Sequence, residues 1–393
     1  MDRHPQIENL KIALPAAGGG LETYALRGPK AFSRPTQPFT RVAYAAAHVV
    51  ADARSAKDPW LEAAIDWDAT LAYRRHLWSW GFGVAEAMDT AQRGMGLDWK
   101  NSLELVERSV KASRDFSGAV IASGAGTDHL SGGETHSMKD IIAAYEEQCA
   151  AIEKAGSRII LMASRALAAS AQSPDDYAKV YDRILGQVQQ PVIIHWLGEM
   201  FDPALEGYWG KKDHYAAMHV CLDLLSRNSA KVEGIKISLL DKDKEIVMRR
   251  KLPKGMRMYT GDDFNFAELI EGDAQGYSDA LLGIFDCIAP AASQALSYLG
   301  SNENEKFNEV LAPTVPLSRH IFKAPTRFYK TGVVFMAWLN GHQAHFTMVG
   351  GQQSARSLPH LAELFRLADG AGLLADPALA CRRMKQLLAL HGI

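Results

Sequence analysis

The chain has 393 residues, of which 47% are hydrophobic and 22% are charged, and its formal net charge is −2. This composition is that of an ordinary soluble globular protein. The 43 basic and 45 acidic residues leave no basic excess that would favour a nucleic-acid or anionic-membrane partner. The length suits one large domain or two medium ones.

The four cysteines are far apart and form no CxxC pair, so we expect buried free thiols in a reducing compartment. The first residues lack the apolar core of a signal peptide, and no stretch approaches about 18 consecutive apolar residues. The sequence therefore predicts a cytoplasmic protein with no membrane partner. The cysteines are Cys149, Cys221, Cys287 and Cys381.

Residues 1–40 are predicted to form an irregular N-terminal extension, because Gly18–Gly20 and three prolines interrupt any periodic pattern. From residue 41 onward, short apolar runs alternate with longer helical patterns. Eight of these runs are predicted strands, at 41–47, 81–87, 118–123, 158–163, 191–196, 232–238, 256–260 and 277–282.

Capping residues indicate where several of the intervening helices begin. Asp66 precedes one helix, Ser137 opens another that Gly156 closes, and Ser173 precedes a proline at a first helical position. Further helices are predicted at 213–227, 241–251 and 286–299.

The last part of the chain is mostly helical in pattern. Three prolines predict an irregular linker at 311–326, and Gly350-Gly351 is predicted to separate two helices. The predicted helices lie at 329–340, 357–371 and 376–390.

Strand–helix alternation repeated eight times predicts a parallel sheet, and eight units of this length match a (β/α)8 TIM barrel. The alternative is a doubly wound open sheet, which usually carries a GxGxxG phosphate loop after its first strand, and no such loop is present there. The prediction is an α/β protein with an N-terminal extension at 1–40, a barrel at 41–300 and a C-terminal helical subdomain at 301–393.

Chemistry in such a barrel collects at the carboxyl ends of the strands. Polar residues lie at or near the ends of the predicted strands, and we expect them to converge on one site. They are His48, Glu86, Asp128, His129, Arg165, His195, Lys236, Asp262, Asp263 and Ser278.

Lys236 is the most informative of these residues, because a lysine at the end of a buried strand is unusual. Burial disfavours its charged form, and a neutral amine can attack a carbonyl to form a Schiff base. The competing interpretation is a lysine that extends its ammonium group into solvent. Structural alternatives also stand for Glu86 as an ion-pair partner, His195 as a core histidine and Asp262 as a helix cap.

Several runs of residues occur in a recognisable order. Gly-Ile-Lys at 234–236 is followed by Thr-Gly-Asp-Asp at 260–263, and weaker matches lie at 65–66, 81–86, 120–126 and 191–194. Over about 40–350 the chain resembles the dihydrodipicolinate synthase and N-acetylneuraminate lyase superfamily of class I aldolases, in its dihydrodipicolinate synthase-like branch. The resemblance implies a barrel with C-terminal helices, Lys236 as a Schiff-base lysine, and a homotetramer, commonly built as a dimer of dimers. We therefore expect a homo-oligomer, either a dimer or a tetramer.

Two departures from the family pattern argue against authentic dihydrodipicolinate synthesis. The family's proton-shuttling tyrosine at the end of strand five is matched by His195, which can also transfer protons near neutral pH. The family's hydroxyl-bearing loop after strand two, which holds the pyruvate carboxylate, is matched by residues 81–86. Glu86 is kept there, but Gly83 and Val84 replace the paired hydroxyls.

The leading hypothesis is a lyase of carbohydrate metabolism that acts on a polar keto compound, such as an oxidised sugar, through an imine and without another cofactor. Lys236 would attack the ketone, and His195 would move the proton. Glu86 would orient His195 or bind a substrate hydroxyl. Arg165 would bind an anionic group, and the remaining contacts to the substrate would come from His48, Asp128, His129, Asp262 and Ser278.

Two other hypotheses remain open. His48, Glu86, His129 and His195 are suitable ligands for a divalent transition metal, which would indicate a metal-dependent lyase or isomerase, although no compact motif such as HExxH occurs. The loss of the family's hydroxyls and tyrosine also permits a non-catalytic barrel that binds a metabolite.

Overall fold

The computed structural model describes residues 10–16, 18–131 and 134–393. Its first element is an antiparallel hairpin of β1 (Lys11–Pro15) and β2 (Leu21–Ala25). The prediction that this region is wholly irregular is therefore wrong. Ile12 and Leu14 are buried in the core and alternate with exposed residues. Burial in this short run therefore has the two-residue period of a strand.

Eight parallel strands form a closed barrel in which each strand pairs with the next and the last pairs with the first. This confirms the predicted (β/α)8 fold, including the strand predicted at 277–282. The strands are β3 (Ala43–Ala46), β4 (Gly83–Glu86), β5 (Ile121–Ala125), β6 (Arg158–Met162), β7 (Val192–Leu197), β8 (Val232–Ser238), β9 (Arg257–Thr260) and β10 (Asp279–Leu282).

The six helices predicted between and after these strands are present and begin at or within two residues of their predicted positions, and three further helices were not predicted. Asp66 and Ser137 each accept a hydrogen bond from a backbone N–H of the first turn, and Gly156 closes its helix with a φ of 90°. The helices are α1 (Trp67–Ser79), α2 (Trp99–Arg114), α3 (Met138–Ala155), α4 (Arg165–Ser170), α5 (Pro174–Gln187), α6 (His214–Arg227), α7 (Lys242–Arg249), α8 (Phe266–Glu271) and α9 (Ile284–Gly300).

The C-terminal part is helical, as predicted, but the supposed linker at 311–326 is not irregular throughout. Pro316 lies in the first turn of the helix Thr314–Ile321, where a backbone N–H has no intrahelical partner to lose. The Gly350-Gly351 turn separates two helices, as predicted. The C-terminal helices are α10 (Asn304–Leu311), α11 (Thr314–Ile321), α12 (Tyr329–Leu339), α13 (Leu358–Gly370) and α14 (Pro377–Leu390).

Helix α12 ties the C-terminal helices to the barrel. All eleven of its residues are buried, and it packs against α9 within a hydrophobic core that the barrel helices share. Its first residue, Tyr329, reaches the mouth of the barrel. The division into an extension, a barrel and a subdomain remains a prediction. None of the helices in the described ranges combines the length and apolar character that a membrane span requires.

Side chains inside the barrel follow the alternation of each strand. The interior is filled by Tyr44, Ala46, Ala85, Met88, Ala122, Ile160, Ile193, Tyr259 and Leu281. Because residues two apart share a face, His195 lies on the same face as Ile193 and points inward, whereas Glu86 points outward, opposite to Ala85.

Candidate active site

Lys236 lies near the carboxyl end of β8, with 7% of its surface exposed. Burial lowers the pKa of its amine, and the negative charges of Asp263 and Asp89 raise it and offset part of that effect. The predicted placement of a lysine in a buried barrel site is therefore observed. Its amine is closer to the neutral, nucleophilic form than an exposed lysine would be.

The amine faces a small space that we call the Lys236 cavity. Its volume is about 10 Å³, which is room for about one water molecule, so only the reacting end of a ligand could enter it in this conformation. The cavity is lined by Ala46, Met88, Asp89, Thr90, His195, Leu197, Phe201, Lys236, Ser238, Asp263, Gly283 and Tyr329.

His195 is the register partner of Lys236 on the neighbouring strand β7. Its Nε2 lies 3.1 Å from the Oγ of Ser238, two residues beyond Lys236. Burial and the adjacent Lys236 hold the pKa of the imidazole well below its usual value. His195 is therefore a neutral imidazole near neutral pH, which can accept a proton.

Gly261 has no side chain, and Lys236 and Ser238 fill the space that a side chain at this position would occupy. A Cβ atom at this position would lie 2.2 Å from the Oγ of Ser238 and 2.7 Å from the Cε of Lys236. The Thr-Gly-Asp-Asp run at 260–263 thus bears directly on the site, because its glycine lets β9 approach the lysine side chain closely.

Besides Ser238, two hydroxyl groups in the Lys236 cavity were not among the predicted site residues. The Oγ1 of Thr90 lies 2.8 Å from the phenolic oxygen of Tyr329. Burial raises the pKa of the Tyr329 phenol well above its usual value, and Asp89 acts in the same direction. The phenol is therefore protonated near neutral pH and can donate a hydrogen bond.

Thr90 lies in the loop after the second barrel strand. The sequence analysis placed this loop at 81–86 and therefore did not include Thr90. That stretch contains β4 itself and is not the loop that follows it. Gly83 is needed inside the barrel, because a Cβ there would lie 2.6 Å from the ring of Tyr44. Thr90 follows β4 by a few residues, and this position could have identified it from the sequence as a candidate site residue. No local pattern indicated that Tyr329 would return to the barrel mouth.

The two aspartates after β9 have different surroundings. Asp263 lines the Lys236 cavity, and its Oδ1 accepts the N–H of Ile284 at 2.9 Å. Burial raises the pKa of this carboxyl, and Lys236 offsets part of the effect. Asp262 instead accepts backbone N–H groups from Phe264 and Asn265, at 2.8 and 3.1 Å. Asp262 therefore caps a turn, and its predicted role in substrate binding has no support.

A larger opening, which we call the entrance cleft, adjoins the Lys236 cavity and shares Asp89, His195 and Leu197 with it. Its volume is about 290 Å³, near the lower end of small-molecule sites. Its polar lining residues are Asp89, Arg93, Thr127, Asp128, Ser131, Ser164, Arg165, His195, Asp202 and Arg327.

Two predicted substrate-binding residues, Arg165 and Asp128, line the entrance cleft. Arg165 forms an ion pair with Asp202, and Asp128 forms one with Arg93. Burial alone would raise the pKa of Asp128, but the contact with Arg93 lowers it overall. Both predicted residues are thus within reach of a ligand in the cleft, although each already holds a protein partner.

Glu86 is separated from this site. It lies on the outer face of β4 and forms a two-bond ion pair with Arg74 of α1, with both oxygens 2.8 Å from guanidinium nitrogens. Both side chains are fully buried. The prediction that Glu86 orients His195 is therefore wrong. The alternative interpretation, an ion pair with an arginine inside the barrel mouth, is correct about the partner but not about the place, because the pair lies outside the barrel.

His48, His129 and Ser278 are also outside the Lys236 cavity. The Nδ1 of His48 lies 2.8 Å from Asp286 of α9, and His129 contacts Gln148 of α3. Ser278 precedes β10, so it lies at the amino end of a strand, opposite to the mouth. Position after a strand end could not separate His48 and His129 from the residues of the site, whereas Ser278 already lies at the beginning of its predicted strand, 277–282.

The predicted metal-ligand set does not assemble. His48, Glu86, His129 and His195 each have a different protein partner in a different place. Across residues 10–16, 18–131 and 134–393, no group of three or more His, Cys, Asp or Glu side chains is arranged to hold a metal ion.

Comparison with known sequences decides the family. Residues 12–393 match the family described as "Protein of unknown function (DUF993)". The chain belongs to this family. A search of curated proteins by sequence finds no match.

Solved structures that share the fold are members of the dihydrodipicolinate synthase family. YagE, a prophage protein from E. coli K12 solved in complex with pyruvate, is 13% identical, with a TM-score of 0.66 over 85% of this chain and 99% of that chain. Dihydrodipicolinate synthase from Aquifex aeolicus is 11% identical, with a TM-score of 0.64 over 86% and 99%. The enzyme from Cyanidioschyzon merolae with lysine bound is 14% identical, with a TM-score of 0.64 over 86% and 100%. The resemblance seen in the sequence is thus confirmed at the level of fold.

Proposed function

We propose that the protein is a class I aldolase-type lyase that forms an imine between Lys236 and a polar keto compound, with sugar-derived ketones as the substrate class. The observation that carries the proposal is the buried amine of Lys236, with its lowered pKa, beside the neutral imidazole of His195. The fold shared with the pyruvate complex of YagE supports it.

In the proposed reaction, the neutral amine of Lys236 attacks the ketone carbon, and the carbonyl oxygen leaves as water after protonation. The resulting iminium accepts the electron pair of a carbon–carbon bond that breaks at the adjacent carbon. The Tyr329 phenol, hydrogen-bonded to Thr90, is placed to donate the proton, and His195 is placed to accept one from the substrate. The enamine left on Lys236 takes the proton back from His195 at the carbon where the bond broke, and hydrolysis of the resulting imine returns the free lysine.

The surroundings of the cavity support a substrate other than free pyruvate. Thr90 supplies one hydroxyl after the second barrel strand, and Met88 and Asp89 flank the same cavity. A ketone flanked by hydroxyl-bearing carbons suits Asp89, Thr90 and Tyr329 better, because all three can hydrogen-bond to hydroxyl groups.

Assembly of the chain as a dimer or tetramer remains part of the proposal, as does its action in carbohydrate metabolism. The proposed chemistry uses only the imine at Lys236, because the four predicted metal ligands lie apart.

The proposal is tested by exchange of substrate hydrogens with solvent. Formation of an imine makes the hydrogens on the carbon next to the carbonyl more acidic. Keto sugars and keto acids incubated with the enzyme in deuterium oxide should therefore take up deuterium at this carbon, which NMR detects. Lys236→Ala should abolish the exchange, whereas Lys254→Ala, which removes an exposed lysine, should not. Ligand-induced thermal stabilisation without exchange by the wild-type protein would favour the binding-only barrel.

A further inference from the structure

The lining of the entrance cleft contains three carboxylates and three arginines, and Lys330, which is not part of the lining, adds one more positive charge beside it. Each of the three carboxylates has a cationic partner: Asp89 with Lys330, Asp128 with Arg93, and Asp202 with Arg165. A third arginine in the lining, Arg327, forms no ion pair with a carboxylate in the part of the chain that the structure describes.

Arg327 belongs to a group of cations on one side of the cleft. Lys330 is buried, and its ammonium group donates hydrogen bonds to Asp89 at 2.8 Å and to the backbone carbonyl of Arg327 at 3.0 Å. Burial lowers the pKa of Lys330, and the positive charges of Arg165 and Arg327 lower it further. Three cations therefore lie within electrostatic reach of each other, and two of them share the cleft surface.

Arg165 retains donors for a ligand. Its Nε contacts Asp202, while its Nη1 approaches Gly94, where an added Cβ would lie 2.8 Å away. The planar guanidinium offers further N–H groups beyond the one that Asp202 uses. Guanidinium groups bind carboxylates and phosphates through paired hydrogen bonds, so two arginines in one cleft suit an anion.

We propose that Arg327 and Arg165 form a subsite for an anionic group, a carboxylate or a phosphate ester, at the end of the substrate remote from its carbonyl. The proposal rests on the function proposed above and specifies its substrate class. The carbonyl end enters the Lys236 cavity, and the anionic end remains in the entrance cleft. The hydroxyls of Thr127 and Ser164, 2.6 Å apart, also line the entrance cleft and can contact substrate hydroxyls.

The test uses three methyl ketones of equal chain length that end in a hydroxyl group, a carboxylate or a phosphate ester. Each is trapped on the protein by borohydride, and the concentration that gives half-maximal adduct on Lys236 is measured. The wild-type protein should need about tenfold less of the anionic ketones than of the neutral one, since a charge-assisted contact is worth about one power of ten. The anion that gives the lower half-maximal concentration is the group that the subsite prefers.

Arg327→Ala should remove this preference, and Arg327→Lys should retain part of it. Arg327 is exposed, so its loss should leave the fold intact, and Lys323→Ala provides a control that removes an exposed positive charge four residues away. Equal half-maximal concentrations for all three ketones in the wild-type protein, or an unchanged preference in Arg327→Ala, would overturn the proposal.

A second measurement separates the subsite from the chemistry. Inorganic phosphate at low ionic strength should raise the melting temperature of the wild-type protein, raise that of Arg327→Ala less, and lose its effect as salt increases. If no ketone is trapped but phosphate stabilises the wild-type protein selectively, the lyase proposal fails and the anion subsite stands. If phosphate and a simple carboxylate stabilise both proteins equally, the subsite is refuted.

Discussion

His195 and Lys236 are register partners on β7 and β8, so an imidazole and an amine share the wall of one buried cavity. Burial lowers the pKa of both groups, and the positive charge of Lys236 lowers that of His195 further. The pair therefore favours two neutral bases side by side. One can serve as a nucleophile and the other as a proton acceptor.

The amine of Lys236 should titrate at a lower pH than an ordinary lysine. Burial lowers its pKa from the usual value of 10.5, while Asp263 raises it in part. Trace labelling with acetic anhydride across a pH series, followed by mass spectrometry, should give a midpoint below 10.5 for this residue. Asp263→Asn should move the midpoint further down, because the ammonium form loses a stabilising charge. An unshifted midpoint in both proteins would argue against a buried amine.

Gly261→Ala should disable the site. The added Cβ would press on Ser238 and Lys236, at 2.2 and 2.7 Å, and overpacking of this kind typically costs about 1–3 kcal/mol of stability. We expect loss of imine trapping together with a lower urea midpoint. Gly186→Ala is the matched control. The added Cβ would meet no atom within 4 Å beyond its own stretch of helix backbone, and the position lies in α5, where alanine favours the helix. Full trapping activity in Gly261→Ala would show that the close approach of β9 is unimportant.

Glu86 should prove structural. Glu86→Gln leaves the fully buried Arg74 without its counter-charge, and breaking a buried ion pair costs about 3–5 kcal/mol. The double variant Arg74→Met with Glu86→Leu should recover much of that loss, as measured by urea unfolding. The fraction of Glu86→Gln that remains folded should still form the imine. A Glu86→Gln protein of normal stability but without trapping would assign Glu86 a catalytic role instead.

The hydroxyl of Tyr329 should affect the rate of imine formation, and with it turnover, more than the amount of imine that borohydride traps after long incubation. Tyr329→Phe removes the proton donor 2.8 Å from Thr90 while preserving the ring that stacks on Phe322. We expect kcat to fall about 10²-fold or more, in the range typical of general acid–base groups, with trapping retained. Tyr215→Phe, which changes an exposed tyrosine, should be silent. Equal turnover in both variants would remove Tyr329 from the mechanism.

Much of the fold was accessible from sequence because it depends on local signals. Apolar runs indicate strands and helix faces, caps such as Asp66 and Ser137 mark where helices begin, and Gly156 marks where one ends. Each of these features depends only on residues nearby in the sequence. The hairpin at β1 and β2 was missed because its two buried residues form too short a pattern among glycines and prolines. The helix containing Pro316 was missed because proline is harmless only in a first turn, and the sequence did not reveal where that turn begins.

The site was only partly accessible, for reasons of geometry. Lys236 and His195 could be found because both lie at strand ends and face inward. Strands buried on both faces carry apolar residues on each side, so the sequence did not show that Glu86 faces α1. Tyr329 lies 93 positions beyond Lys236 in the chain and reaches the cavity only through the packing of α12, which no local pattern specifies.

The central claim is that Lys236 forms an imine with a keto substrate. Borohydride reduction in the presence of a panel of keto sugars and keto acids, followed by peptide mapping, tests it most directly. We predict a stable mass increase on the peptide that contains Lys236, equal to the ketone minus one oxygen atom, and its absence in Lys236→Ala. Adducts spread over exposed lysines, with none at Lys236 across the panel, would contradict the account.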